Sequence, residues 1–457
     1  MNGKAKTVDM CNGPLTGKII RFTIPVILSG VFQLLFNAVD MIVVGRFSGN
    51  TALAAVGSTS SITHLLVNLF LGFSIGAGIT VSHEIGAKRM SRLNKIVPTS
   101  VLLAVISGAV VGVIGFVFAP VALRLMDSPA DIIDKSTLYL RIIFVGMPMN
   151  MVYNFGASIL RATGDTKKPL IYLFAGGIIN VILNLIFVIV FDMDVAGVAI
   201  ATIISQTISA LLVVWDMVRG NGYFRLNLKE LHIHKTYMYK IIRIGLPSGV
   251  QGSLFSLSNV LIQSSINSFG SVAVAGNSAA ASIESFVYIV MNSFSQAAIT
   301  FAGQNMGAEK YNRITRTMFI CIGLVTACGL LLSRVVMHFA APLLEIYCPT
   351  DISAINYGID RMSIIVLYYF LCGIMDCMAG MLRGMGYSFT SMIISLFGAC
   401  FLRVVWIYTI FARIHTLKCL YVSYPVSWLA VITVDVVVYV VIIRKLKREQ
   451  AIKNAVC

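Results

Sequence analysis

A short apolar stretch near the N-terminus, LLFNAVDMIVVG at residues 34–45, holds one carboxylate, Asp40. A charged side chain inside a bilayer is costly and usually marks a functional site. When protonated, such a carboxyl tolerates an apolar wall, and when ionised it attracts sodium or an organic ammonium. Phe36 and Asn37 lie about one helical turn earlier and share roughly the face of Asp40. The stretch predicts a cation-coupling residue, and the alternative is an interfacial acid paired with Arg46.

Amide and hydroxyl side chains recur at helical spacing later in the first half. Asn180 and Asn184 lie one turn apart in GGIINVILNLIF, so both amides point from one face. Thr202 and Gln206 follow on the next apolar segment with the same spacing. We expect them to share a cation or proton network with Asp40. The alternative is interhelical packing, since membrane helices use such residues for hydrogen bonds.

The second half carries two further acids within apolar segments. Asp376 occurs in CGIMDCMAGMLRG and Glu284 in a segment near residues 275–302. We expect Asp376 to bind the coupling cation or the substrate, with a structural pair to Arg403 as the alternative. Glu284 is a candidate for substrate binding or for a structural role.

Aromatic faces attract cations and Met side chains adapt to varied shapes, so both residue types are candidates for the lining of a binding site. Both types are abundant here, with 26 Phe and 21 Met. The predicted coupling residues are Asp40, Asn180, Asn184, Thr202 and Asp376. The predicted substrate residues are Phe36, Asn37, Met151, Tyr153, Gln206, Glu284, Tyr288 and Asp376. A sodium ion is a possible occupant at Asp40 or Asp376, and no catalytic residue is predicted.

The elements that must position these residues are membrane helices. The 457 residues are 58% hydrophobic and 12% charged, against roughly 25% charged in soluble domains. Apolar stretches of about 20 residues recur along the chain, which predicts helical spans rather than barrel strands. The nine cysteines are scattered without a metal-binding spacing, and no phosphate-binding loop of the ATPase type occurs. We therefore expect neither an enzyme nor a cofactor.

The net charge of +16 reflects topology. With the N-terminus inside, most of the lysines and arginines fall in inward segments, which is the positive-inside pattern. Both termini are thus expected in the cytoplasm, with the basic segments at anionic lipid. Since topology explains the basic residues, we expect no nucleic-acid partner.

The two halves of the chain repeat each other at a nearly constant offset. RFTIP at 21–25 matches RIGLP at 243–247, HEIGAKR at 83–89 matches QNMGAEK at 304–310, and LRATGDT at 160–166 matches LRGMGYS at 382–388. The duplication predicts an N-lobe over 1–219, a cytoplasmic linker over 220–239 and a C-lobe over 240–457. Parallel repeats of this kind are typical of transporters.

These motifs, with DMIVVGRFSG, ALAAVG, ILRATGDTKKP and MAGMLRGMGYS, resemble the bacterial branch of the multidrug and toxic compound extrusion (MATE) family. The resemblance covers about residues 15–445. It implies an all-α integral membrane protein with twelve transmembrane helices in two six-helix bundles related by pseudo-two-fold symmetry, flanking a V-shaped cavity. It also puts a coupling-ion carboxylate at Asp40 and matches Asp376 to the acid of span 10.

The family implies secondary active efflux of cationic, lipophilic small molecules by antiport with protons or sodium through alternating access. We expect a multi-pass protein of the cell membrane that acts as a monomer. The alternative function is a flippase for a lipid-linked sugar or cell-wall precursor of the same superfamily. A flippase needs a basic cavity for pyrophosphate, whereas the intramembrane residues here are mainly acids and amides.

Overall fold

The computed structural model describes residues 8–126, 129, 131–220, 225–349 and 351–456. Regular secondary structure in these residues is entirely helical. The α-helices are α1 Thr16–Val43, α2 Asn50–Gly86, α3 Leu93–Leu125, α4 Ile133–Val145, α5 Met147–Ala162, α6 Lys167–Leu185, α7 Asp194–Arg219, α8 Lys235–Asn267, α9 Ser271–Gly307, α10 Tyr311–His338, α11 Ala340–Glu345, α12 Ile352–Ile365, α13 Tyr369–Gly384, α14 Ser388–Ser395, α15 Leu402–Trp406 and α16 Leu417–Val456. Short 3-10 helices lie at Met90–Arg92 and Leu228–Glu230, and π-helical segments at Val44–Ser48, Ile186–Val190, Leu396–Phe401 and Ile407–Phe411.

Most of these helices are long and apolar enough to cross a bilayer. Within the described ranges, 9 helical segments meet that requirement alone, and 11 meet it when two bent pairs are each counted as one span. The bent pairs are α4 with α5, at 49°, and α12 with α13, at 48°. The first helix of the predicted C-lobe, α8, has 33 residues, is rich in serine, glutamine and asparagine, and is not among the 11. The chain is a multi-pass membrane protein.

The duplication visible in the sequence recurs in the backbone. Positive φ angles fall at matching points of the two halves, with the same offset as the repeated motifs, and α2 and α9 both have 37 residues. The matched residues are Gly49 with Gly270, Lys88 with Glu309, and Gly164 with Gly386. Since non-glycine residues seldom adopt positive φ, the shared geometry of Lys88 and Glu309 indicates one turn used twice.

The turn before α6 shows how one repeated motif, ILRATGDTKKP, sets a helix boundary. Gly164 adopts φ +91°, which ends α5. Asp165 then accepts hydrogen bonds from the backbone amides of Lys167 and Lys168, both at 3.2 Å. A carboxylate at this position satisfies amides that have no partner within the helix. The motif therefore fixes where α6, the helix with both candidate asparagines, begins.

The described chain divides into two compact units. The first comprises Ile24–Ser253 with the described residues before Met10, and the second comprises Met10–Thr23 with the described residues of Leu254–Cys457. The boundaries fall inside α1 and inside α8. Each unit has its own apolar core, with clusters around Phe155 and Phe144 in the first and around Met362 in the second.

Within the first unit, α2 and α8 cross at glycines. A Cβ atom at Gly249 would lie 1.9 Å from the carbonyl oxygen of Leu69, and one at Gly72 would lie 2.3 Å from the amide nitrogen of Gly249. Small residues four apart allow membrane helices to approach closely. Gly245 supplies the second small residue of α8 at this crossing.

Candidate functional site

Three helices of the first unit bring the predicted coupling residues together. Asp40 lies near the end of α1, Asn180 and Asn184 on α6, and Thr202 on α7. α6 packs against α7. Both α1 and α6 continue into π-helical segments a few residues beyond the site, and these two segments contact each other. Such π-helical turns occur frequently at functional sites.

The four side chains form one hydrogen-bonded cluster around the Asp40 carboxylate. The Nδ2 atom of Asn184 donates to Oδ1 of Asp40 and, at 3.3 Å, to Oδ1 of Asn180. Thr202 Oγ1 lies 3.5 Å from Oδ2 of Asp40, and Nδ2 of Asn180 donates to Thr202 Oγ1 at 3.4 Å. The structure therefore places Asn184 and Thr202 beside Asp40, and Asn180 is hydrogen-bonded to both of them.

The directions of the hydrogen bonds leave acceptor oxygens beside Asp40 without a donor. Thr202 has one hydroxyl proton, and its bond to the Val198 carbonyl oxygen, at 2.9 Å, is much shorter than its contact with Asp40. Oδ1 of Asn184 is buried and has no hydrogen-bond partner among the described residues. A carboxylate, an amide oxygen and a hydroxyl in one place are ligands that hard cations accept. A proton on Asp40 would instead create a donor for these acceptors.

Aromatic side chains flank the same site. The ring of Phe36 lies directly over Gly177 of α6, where a Cβ atom would come within 1.9 Å of it. Phe32 stacks with Phe36 at a centroid distance of 6.2 Å and contacts Phe174 at 4.9 Å. The α1 face that holds Asp40 thus packs through rings against α6.

The other predicted substrate residues of this half occupy different environments. Asn37 is exposed and Gln206 is half-buried on α7, one turn beyond Thr202. Met151 is fully buried in the core with Phe155, so a ligand reaches it only if its neighbours move. Tyr153 is half-buried and donates its hydroxyl to the Pro169 carbonyl oxygen at 3.2 Å.

In the second unit, Glu284 is engaged by an arginine. Arg361 donates to both carboxylate oxygens of Glu284, from Nε at 2.9 Å and from Nη2 at 2.6 Å, and Nη1 donates to Asn277 at 2.7 Å. Glu284 and Arg361 are 4% and 6% exposed. A buried bidentate pair of this kind satisfies both charges, which favours the structural role over substrate binding for Glu284.

Asp376 lies in a separate part of the second unit. Its Oδ2 atom is buried without a hydrogen-bond partner in the described chain. Asn292 hydrogen-bonds to its side chain, and Asn292 also donates to the hydroxyl of Tyr288 at 3.4 Å. The structure therefore brings Tyr288 and Asp376, both predicted site residues, to one neighbourhood.

The ion pairs considered as structural alternatives are not the contacts that the two aspartates make. Within the described residues, Asp40 accepts a hydrogen bond from Asn184 and contacts Thr202, and no ion pair joins it to Arg46. In the described part of the chain, Arg403 donates a hydrogen bond to Ser427 at 2.9 Å and lies over the ring of Tyr424, whose centroid is 4.3 Å away, and it forms no ion pair with Asp376.

Three residues near these sites were missed by sequence reasoning. Tyr139 lies within electrostatic range of Asp40. Arg361 is the partner of Glu284. Asp435 is 0% exposed on α16, and it stands alone in the apolar run VITVDVVVYVV, the same signal that marks Asp40. No three His, Cys, Asp or Glu side chains of the described residues converge as metal ligands.

The comparisons with known proteins agree with this fold. A family model described as MatE matches residues 25–186 and 247–409, two stretches whose starts are separated as the repeated motifs are. The chain is 30% identical to "Probable multidrug resistance protein YoeA" of Bacillus subtilis over 82% of each protein. It is 19% identical to "Multidrug export protein MepA" of Staphylococcus aureus, over 86% of this chain and 87% of that protein.

A solved structure described as the outward-facing conformation of a multidrug resistance MATE family transporter of the MOP superfamily shares the fold. Its TM-score is 0.90 at 21% identity, with 98% of this chain and 100% of that chain covered. The family match, the relatives and the fold confirm the resemblance found in the sequence motifs. The chain belongs to the MatE family of multidrug and toxic compound extrusion proteins, and it is an efflux transporter.

Proposed function

We propose that the protein exports cationic or lipophilic small molecules in exchange for protons or sodium, with Asp40 as the coupling carboxylate of the first unit. The observation that carries this proposal is the cluster of Asn184, Asn180 and Thr202 around Asp40, built from three membrane helices. The relatives named as multidrug proteins support small molecules, rather than a lipid-linked precursor, as the cargo.

Exchange follows from competition for one negative charge. The substrate cation binds where Asp40 is ionised, while the site opens toward the cytoplasm or the inner leaflet. A proton or sodium ion that reaches Asp40 from outside neutralises the carboxylate and lowers its attraction for the substrate. Because a ligand shifts an equilibrium only through its different affinities for two states, this competition makes the ion gradient drive export.

The second unit contributes Asp376, with Asn292 and Tyr288 beside it, as a second candidate for ion or substrate binding. We keep the N-lobe at 1–219, the linker at 220–239 and the C-lobe at 240–457 as the proposed organisation. The proposed topology places the N- and C-termini in the cytoplasm of a cell whose plasma membrane the chain spans as a monomer. No cofactor and no catalytic residue is part of the proposal.

The test is transport of ethidium by the purified protein in liposomes, under a proton gradient and a sodium gradient in turn. Wild-type protein, Asp40→Asn and Asp376→Asn are compared at equal amounts of reconstituted protein. We expect wild-type transport under at least one gradient and its loss in Asp40→Asn.

Transport at the wild-type rate by Asp40→Asn would contradict the role of Asp40. Absence of wild-type transport under both gradients would contradict the proposed cargo and favour a lipid-linked substrate. The gradient that drives transport names the coupling ion.

A further inference from the structure

Two acids of the second unit, Asp376 and Asp435, have buried carboxylate oxygens without a hydrogen-bond partner among the described residues. Asp435 of α16 is 0% exposed, and neither of its carboxylate oxygens has a hydrogen-bond partner within the described residues. Oδ2 of Asp376, on α13, is likewise buried without a hydrogen-bond partner there. α13 packs directly against α16. A buried ionised carboxylate without partners is strongly unfavourable, so these oxygens need a proton or a cation.

Arg383 provides one positive charge for the two acids. It lies two helical turns after Asp376, on the same face of α13. Its Nε atom donates to the Ala379 carbonyl oxygen at 3.3 Å, and Nη2 lies 3.5 Å from Oγ of Ser295. Ser295 in turn donates to the backbone carbonyl oxygen of Asp376 at 2.7 Å.

The charged groups that act on Asp435 are Arg383 and Asp376. Arg383 is also the charged group that acts on Asp376, beside the hydrogen bond from Asn292. Tyr288, Cys372 and Cys377 lie within electrostatic range of Asp376, and both side-chain types are ordinarily neutral near pH 7. With both carboxylates ionised, the cluster of Asp376, Asp435 and Arg383 therefore has a net charge of −1.

We propose that Asp435 is a second carboxylate of the ion-coupling site of the second unit, and that Asp376, Asp435 and Arg383 together hold one exchangeable proton. The inference rests on the proposed function and extends it by naming a residue and an ion. The proton forms an O–H bond with one carboxylate oxygen and brings the cluster to zero net charge. It leaves as H⁺ when the pair ionises, and a substrate cation near the half-buried Asp376 then restores neutrality.

A proton suits this cluster better than sodium because of Arg383. A sodium ion held by the two carboxylates would stand within electrostatic range of a guanidinium, which repels it. A proton is held by a covalent bond and needs no shell of oxygen ligands. Two carboxylates that share a site commonly hold one proton between them, because each negative charge disfavours ionisation of the other.

Infrared spectroscopy of the purified protein near neutral pH tests the proposal without requiring transport. We expect wild-type protein to show a protonated-carboxyl band from this cluster that shifts in D₂O. Asp435→Asn should lose that band, because Asp376 and Arg383 then form a neutral pair without a proton. Asp376→Asn should lose it equally, and the double variant should lose no more than either single variant.

Asp360→Asn is the matched control, since Asp360 is a partly exposed acid of the same unit paired with Lys418, and it should leave the band unchanged. Asp435→Glu keeps a carboxyl and should keep the band if Asp435→Asn fails to fold. Retention of the band in both single variants, or a double variant that loses twice as much as each, would overturn the proposal. Absence of wild-type ethidium efflux would contradict the proposed function instead, whatever the infrared result.

Discussion

Asn184 is the residue through which α6 acts on Asp40. One amide nitrogen serves both Asp40 and Asn180, so its removal takes away the hydrogen bond that α6 donates to the carboxylate. A hydrogen bond to a charged group contributes about 1.5–3 kcal/mol, and each 1.4 kcal/mol is about tenfold. We expect Asn184→Ala to lower gradient-driven ethidium efflux about 10- to 100-fold in proteoliposomes.

The control for that prediction is Asn154→Ala. Asn154 donates to the Asn150 carbonyl and side-chain oxygens of its own helix, at 2.9 and 3.0 Å. It lies in the same unit, and the substitution should change efflux less than twofold. Equal losses of efflux in Asn184→Ala and Asn154→Ala would show that removal of any amide side chain from a membrane helix lowers efflux.

Glu284 gives a second prediction at the scale of single residues, this time for stability. Glu284→Gln leaves the buried guanidinium of Arg361 without its counter-charge, which typically costs about 3–5 kcal/mol. We expect a clearly lower unfolding temperature in detergent than for wild-type protein.

A double variant, Glu284→Leu with Arg361→Met, separates lost charge pairing from lost packing. Since both charges are removed, it should unfold closer to wild-type protein than Glu284→Gln does. An unchanged unfolding temperature for Glu284→Gln would contradict the structural role of the pair and return Glu284 to the substrate candidates.

At the scale of elements, the crossing of α2 and α8 depends on Gly249. A methyl group there would meet the Leu69 carbonyl oxygen at 1.9 Å, and backbone of the partner helix cannot move aside as a flexible side chain can. Overpacking of this kind commonly costs about 1–3 kcal/mol. We expect Gly249→Ala to lower the unfolding temperature.

Gly323 of α10 is the matched glycine, since nothing lies within 4 Å of a Cβ atom placed there. Gly323→Ala should leave the unfolding temperature unchanged or raise it slightly, because alanine favours helix. A similar fall in both variants would show that the effect belongs to helical glycine in general and not to this crossing.

The elements themselves were largely readable from the sequence. Helical period predicted that Asn180 and Asn184 share a face, and the repeated turn motifs predicted a duplication that the positive φ angles follow. The bends of 49° and 48° between α4 and α5 and between α12 and α13 were not predicted. The two helices of each bent pair are together apolar enough to count as one span, so hydropathy does not mark the bend.

Long-range pairs were harder to predict than elements. Glu284 and Arg361 are 77 positions apart, and no local pattern selects Arg361 over Arg403 as a partner. Asp435 had the same signal as Asp40, a lone acid in an apolar run, and was overlooked. The predicted coupling residues of the first unit lie on three helices, α1, α6 and α7. They come together because these helices pack side by side, which the local sequence pattern does not show.

At the scale of the whole molecule, the two halves keep a common backbone plan but differ in their charged residues. The offset that relates the repeated motifs pairs Asp40 with Leu261 in the second half, and it pairs Asp376 with Asn154 in the first half. Neither candidate coupling acid therefore has an acid at the equivalent position of the other half. Positions where one half departs from the other are where the two units are expected to serve different roles.

The charge map predicts the topology of the whole chain. In a cysteine-free background, Asp192→Cys, between α6 and α7, should react with an impermeant maleimide added to intact cells. Lys235→Cys, at the start of α8, should react only after the membrane is opened, because basic segments stay inside. The reverse pattern would contradict cytoplasmic termini.

The measurement that tests the central claim most directly compares two modes of ethidium transport by Asp40→Asn in proteoliposomes. One mode is accumulation against a gradient, driven by protons or sodium, and the other is exchange of labelled for unlabelled ethidium without an ion gradient. If Asp40 couples the ion to the substrate, the variant should lose gradient-driven accumulation. Any exchange that it retains should not respond to protons or sodium, because the ion and the substrate no longer compete for a carboxylate. Gradient-driven accumulation by Asp40→Asn at the wild-type rate would contradict the account.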